Sequence, residues 1–172
     1  MFDPIRALKV LNSHGVRFVL IGGFAGRFWG SNTITNDLDI CYARDDRNLK
    51  ALAEALKELQ ARLRGAPKDL LFLLDDKTLG AGDHFTFVTN AGNLDCLGNP
   101  SGSRGYLDLI RTATEMVVDS VRIPVASLDD LIRLKRSSGR PKDLIEIEVL
   151  GALRDEIESS RRENPKSKRP GP

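Results

Sequence analysis

Apolar positions along the chain recur with two periods, near 3.6 residues and at two residues, and the switches between them mark out elements. Asp3-Pro4 supplies a capping side chain and a helix-starting proline, and Ile5, Leu8 and Leu11 follow at helical spacing until Gly15. Residues 16–21 are apolar apart from Arg17 and rich in β-branched side chains, which predicts a strand, and Gly22-Gly23 breaks it. Residues 24–29 predict a short helix closed by Gly30. Residues 37–43 predict a second strand, with Leu38 and Ile40 on one face and Asp37, Asp39 and Cys41 on the other. The clearest amphipathic helix spans residues 46–64, through Leu49, Leu52, Leu56, Leu59 and Leu63. Residues 65–83 hold one apolar segment, 70–74, among glycines and polar residues, and predict a mobile loop around it.

Farther along, residues 85–89 and 93–97 predict a hairpin across Asn90-Ala91-Gly92. A short helix is expected over 106–112, and residues 115–118 and 121–123 are expected to pair across Asp119-Ser120. Ser127 caps a helix to about Ser138, with Asp130 in the capping-box position. Gly139-Arg140-Pro141 interrupts, and a last helix is expected over 141–157. There is no internal repeat and no dividing linker, so residues 1–158 read as a single domain.

Composition narrows the class. The chain has 172 residues, 29% of them charged and 41% hydrophobic, an ordinary globular mix. No apolar run approaches the roughly 20 residues that cross a membrane, and the first residues lack a signal-peptide pattern. Both favour a cytoplasmic protein without a membrane partner. Cys41 and Cys96 have neither disulfide-framework nor zinc-site spacing and read as buried thiols. The net charge of +2 is carried by residues 159–172, which hold a net +4 and are expected to form a disordered basic tail. The remaining body, at about −2, gives no broad basic face for nucleic acid. A local groove from Arg104, Arg111, Lys135, Arg140 and Lys142 stays open as an RNA contact.

The candidate chemistry lies in Gly22-Gly23 and Asp37-Leu38-Asp39. Two aspartates at i and i+2 on a strand share a face, roughly 7 Å apart at Cα. They repel unless a cation sits between them, and a hard divalent ion such as Mg²⁺ suits their oxygens. Glycines without side chains let backbone N–H groups approach phosphate oxygens. Asp95, in an otherwise apolar strand, is the expected third carboxylate, as a metal ligand or as the acceptor of a proton. Two metal ions about 4 Å apart would then fit the site. His14 and His84 form no catalytic pair by local pattern and read as surface or strand-edge histidines. Phe28 and Trp29 lie close enough to the glycines to stack on a base, but packing is the commoner use of such rings.

These motifs resemble nucleotidyltransferase-fold proteins of the AbiEii and MenT kind, toxins of type IV toxin–antitoxin systems. The resemblance rests on Gly22-Gly23-Phe24-Ala25, on Thr35-Asn36-Asp37-Leu38-Asp39-Ile40, on Leu94-Asp95, and on the segment from Ile123 to Ile132 followed by Lys135 and Arg140-Pro141-Lys142-Asp143. It implies an α/β (α+β) fold, a polymerase-β-like mixed β-sheet flanked by helices with C-terminal helices. It also implies a Mg²⁺- or Mn²⁺-dependent enzyme that moves a nucleoside monophosphate from an NTP to an acceptor hydroxyl. The acceptor would be an RNA or tRNA end, and a cognate antitoxin would be a partner. Carried onto this chain, Asp37, Asp39 and Asp95 would hold metal, Lys135 would contact the nucleotide phosphates, and Asp143 would support Lys135. Two positions depart from the pattern. Phe24 stands where a phosphate-binding serine is usual, with Arg27 as its expected substitute, and Thr33 stands where many relatives carry arginine. A catalytically weak nucleotide-binding partner, or a small-molecule nucleotidyltransferase of the antibiotic-modifying type, are the alternatives.

Overall fold

The computed structural model describes residues 1–164. Helix α1 (Pro4–Ser13) starts where Asp3 accepts the Arg6 N–H at 3.0 Å, and it buries Ala7, Leu8 and Leu11. Strand β1 (Phe18–Ile21) is buried throughout, and Gly22, at φ 72°, turns the chain into α2 (Gly22–Phe28). Strand β2 (Asp37–Tyr42) lies antiparallel to β1, with Asp39 opposite Ile21. Helix α3 (Asp46–Glu58), capped by Asp45, buries Leu49, Leu52 and Leu56 and packs against α1.

Two expectations fail after that. The helix predicted over 46–64 stops at Glu58, because Leu59 turns into the core and Gln60 adopts φ 54°. Ala61-Arg62-Leu63-Arg64 alternates with period two, and its centre forms the edge strand β3 (Arg62–Leu63). Residues 65–83 are not one loop. They contain α4 (Asp76–Ala81), which starts where Asp75 accepts the Thr78 N–H at 2.8 Å and which buries Leu79. Phe72 from the same segment packs against Phe85 and Phe87.

The expected hairpin forms between β4 (His84–Thr89) and β5 (Gly92–Leu97), but its turn is the two residues Asn90-Ala91 and not 90–92, with Gly92 already in the strand opposite Thr89. The short helix α5 (Tyr106–Leu109) is closed by Ile110, short of the expected Thr112. Asp119 and Ser120, both at positive φ, make the tight turn between β6 (Thr114–Val118) and β7 (Val121–Val125). Ser127 caps α6 (Leu128–Ser138), but Asp130 does not close the capping box and instead binds Arg133 and Thr112. The last helix, α7 (Asp143–Glu163), packs against α6 and runs through the first residues of the expected tail, Ser159 to Glu163. The rest of that tail, 165–172, lies outside the described residues.

The strands form one mixed sheet of seven, in the order β3-β4-β5-β2-β1-β7-β6, flanked by the helices. Parallel pairing of β2 with β5 sets Asp39 beside Asp95, and antiparallel pairing of β5 with β4 sets Asp95 beside Thr86. Among the described residues no helix is long and apolar enough to cross a membrane.

Candidate active site

Strand alternation gathers the polar side chains on one sheet face. Asp37 and Asp39 of β2, Asn93 and Asp95 of β5, and His84 and Thr86 of β4 all project to that side by register. The opposite positions, Leu38, Ile40, Leu94, Cys96 and Phe87, are buried in the core. A cleft of about 390 Å³ opens between this face and α6. Its sheet wall carries Asp39, Asp95 and His84, and its helical wall carries Leu131, Leu134, Lys135 and Ser138, with Arg140 just beyond. Gly22 and Gly23 form part of the floor.

Gly22 is required there twice over. It holds a positive φ, and a Cβ on it would lie 2.1 Å from Asp39 Oδ2. The glycine hydrogen is therefore what gives the Asp39 carboxylate its room. Gly23 is tight against Thr35, whose Cβ would lie 3.1 Å from an added Cβ. Phe24, in the position of the expected serine, is a core residue packed edge-on against Phe2 and Phe28.

The three carboxylates are held differently. Asp95 receives Arg64 Nη2 on both oxygens, at 2.9 and 3.1 Å. Asp37 Oδ1 accepts Asn93 Nδ2 at 3.0 Å and lies 3.5 Å from Arg64 Nη1. Asp39 has no hydrogen-bond or ion-pair partner among the described residues. Burial, then the charges of Asp95 and Asp37, push its pKa up to about 7, against the opposing pull of Lys135 and Arg140. Burial also raises the pKa of Asp95, although Arg64 opposes it.

Across the cleft, Lys135 is nearly buried and forms ion pairs with Glu146 and, at 3.7 Å, with Asp143. Asp143 is held by the Ser138 hydroxyl and by Arg140 Nε at 3.0 Å. Burial opposes its ionisation, but those two donors and Lys135 outweigh it and keep the carboxyl below its usual range. Asp143 thus supports both cations that face the cleft.

The structure brings Gly22, Gly23, Asp39, Asp95 and Lys135 to one cleft, with Asp37 on the same sheet face and Asp143 behind Lys135. Arg27 does not join them. It is exposed on the outward side of α2, whose Phe24 and Ala25 are buried, so it is no substitute for the absent serine. Asp95 lies beside Asp39, but its oxygens face Arg64, and among the described residues no three acidic, histidine or cysteine side chains converge as a metal cluster. Of the expected basic groove, only Lys135 and Arg140 line the cleft. Trp29 donates its indole N–H to the Ala126 carbonyl at 2.9 Å, and Phe28 packs on Phe24, so both serve the core. Cys41 and Cys96 are buried free thiols. Sequence reasoning missed Arg64, left His84 as a surface or strand-edge group, and held Arg140 only as part of a candidate RNA groove. The alternation in Ala61-Arg62-Leu63-Arg64 was the available signal for Arg64.

No family model matches the sequence, and no curated protein matches it. Solved structures do. A lincosamide antibiotic adenylyltransferase with lincomycin bound aligns at TM-score 0.58 and 16% identity, covering 87% of this chain and 95% of that one. The protein ANT(2'')-Ia in complex with adenylyl-2''-tobramycin aligns at TM-score 0.53 and 15% identity, over 90% of this chain and 94% of that one. The chain has the nucleotidyltransferase fold. A Thermotoga maritima protein provisionally assigned as a nucleotidyltransferase aligns at TM-score 0.50 and 15% identity, over 92% of this chain and 96% of that one. The fold accounts for the mixed sheet, its parallel β2–β5 pair and the helical wall that faces it.

Proposed function

We propose that the chain is a metal-dependent nucleotidyltransferase, moving a nucleoside monophosphate from an NTP to an acceptor hydroxyl. The observation that carries this reading is Asp39, whose carboxylate on the sheet wall of the cleft has no partner among the described residues and has two further carboxylates beside it. Such a group suits a hard divalent cation, and Asp37 and Asp39 are the residues that would hold Mg²⁺ or Mn²⁺. The ion, when bound, supplies positive charge to the triphosphate. Lys135 and Arg140 would bind phosphate oxygens from the opposite wall, the lysine as a point charge and the arginine as a fork. In the transfer, the acceptor oxygen bonds to the α-phosphorus, the bond from that phosphorus to the bridging oxygen breaks, and pyrophosphate leaves. Asp95 takes the acceptor's proton on a carboxylate oxygen.

For the acceptor, a small hydroxylated molecule is favoured over an RNA end. The cleft volume suits a small-molecule site, and among the described residues Lys135 and Arg140 are the two lysine or arginine side chains that line it, enough for a triphosphate but too few for a basic track along a nucleic-acid backbone. Two structural neighbours, the lincosamide antibiotic adenylyltransferase with lincomycin bound and ANT(2'')-Ia in complex with adenylyl-2''-tobramycin, hold such molecules. A toxin acting on RNA or tRNA, with an antitoxin partner, is the reading suggested by the sequence motifs, and it shares the same chemistry. The test is to incubate the protein with α-labelled NTPs, Mg²⁺ or Mn²⁺, and either total RNA or a panel of hydroxylated antibiotics, beside Asp39→Asn. Label on a small molecule with the wild type alone supports the favoured acceptor, and label on RNA supports the toxin reading. No transfer to either pool, with no metal-dependent NTP binding, sinks the enzyme.

A further inference from the structure

Arg64 reaches into the acidic face of the sheet from its edge. Its backbone N–H donates to the carbonyl of Thr86 at 2.9 Å, and Thr86 is the residue opposite Asp95 in the hairpin. The side chain is therefore launched from the sheet edge directly at Asp95. One guanidinium nitrogen reaches both Asp95 oxygens, and the other approaches Asp37. The Asp37 oxygen it approaches already accepts the Asn93 amide, so that oxygen is doubly engaged. Asp39 alone is left without a partner. A guanidinium stays charged at every working pH and gives short, strong bonds to carboxylates.

We propose that Arg64 is the site's resident cation: it fixes Asp95 in the orientation from which it takes the acceptor's proton, and it limits the site to one divalent ion, on Asp37 and Asp39. The inference rests on the nucleotidyltransferase reading. Arg64 is a positioning residue, acting through Asp95 rather than on the substrate. A second ion on the acceptor side would need Asp95 oxygens that Arg64 already occupies. Removing the guanidinium frees both oxygens and leaves three carboxylates with no positive charge among them, so the site should then gain affinity for divalent ions.

The test counts Mn²⁺ on the full chain by titration, read from the electron paramagnetic resonance signal of free Mn²⁺, without nucleotide and with an unreactive NTP analogue. The wild type should bind one ion. Arg64→Gln should bind a second ion, or bind the first about tenfold more tightly, and adding Asp95→Asn should abolish that gain. Arg64→Lys, which keeps the charge, should restore the one-ion count. Equal stoichiometry and affinity in the wild type and Arg64→Gln overturns the proposal. So does a wild type that already binds two ions, which decides the matter even if Arg64→Gln fails to fold. A wild type that binds one ion yet transfers nothing from any NTP refutes the enzyme reading instead, so the two failures are distinguishable. No Mn²⁺ on any of these proteins overturns both.

Discussion

Replacing Asp39 by asparagine should stabilise the protein, and by more at pH 8 than at pH 5. In the folded chain the Asp39 carboxyl has its pKa raised from 3.8 to about 7 by burial and by Asp95 and Asp37. Because the folded pKa is the higher one, the folded state keeps its proton over a range in which the unfolded state has released it. Asp39 therefore costs nothing below the unfolded value, and its cost grows as pH rises through that window and levels off above the folded value. At about 1.4 kcal/mol per unit, the full cost is about 4 kcal/mol. Between pH 5 and pH 8 the added cost is about 2 to 3 kcal/mol. Urea denaturation of the wild type and Asp39→Asn at both pH values reads this directly, since asparagine keeps the shape and removes the charge. The gain from asparagine should be larger at pH 8 by that amount, and saturating Mg²⁺ should shrink it, because only the carboxylate can use the ion. An equal gain at both pH values, or a loss of stability at pH 8, would refute the account of Asp39 as a half-buried charge awaiting a cation.

Gly22→Ala should destabilise the fold by about 2 kcal/mol or more in thermal unfolding and abolish Mn²⁺ binding, because the new Cβ would lie 2.1 Å from Asp39 Oδ2. Asn48→Ala removes a buried amide that accepts the Arg17 N–H at 2.7 Å and donates to the carbonyls of Arg17 and Ala43 at 3.0 and 2.7 Å. It should cost about 2 to 3 kcal/mol in chemical denaturation while leaving NTP affinity unchanged, since Asn48 lies outside the cleft. Lys135→Gln should weaken NTP binding about tenfold by calorimetry and cost about 3 kcal/mol of stability, because it strips the largely buried Glu146 of its cation and Asp143 of one of its two.

Most of the framework was legible in the sequence, because its signals are local. Asp3-Pro4, Ser127 and the leucine spacing of residues 49–56 mark their helices, and the turn signals at 90–92 and 119–120 mark their hairpins. The hairpin and strand alternation report which face Asp95 shares with its neighbours, but the parallel β2–β5 pairing that sets it beside Asp39 is a long-range choice that no local pattern reports. Failures came where tertiary contacts override local periodicity. Leu59 and Leu63 continue the helical spacing of α3, but burial of Leu59 and the edge of the sheet pull the chain out of the helix. That single break delivers Arg64 to the acidic site, and no local pattern reports its distant partner. Arg27 failed for the opposite reason. Its sequence distance from the glycines suited a phosphate contact, but the burial of Phe24 and Ala25 turns it to solvent. Arg140 stood in the sequence only as one of five candidate groove cations, and it is Asp143, buried where α6 packs against α7, that holds it at the cleft.

The most direct test of the site is a crystal structure grown with Mn²⁺ and an unreactive NTP analogue, with anomalous scattering used to locate the metal. The account predicts one Mn²⁺ peak touching Asp37 and Asp39, a triphosphate running toward Lys135 and Arg140, and Arg64 still on Asp95. Nucleotide and metal bound elsewhere, with the Asp39 carboxylate left without a cation, would contradict it.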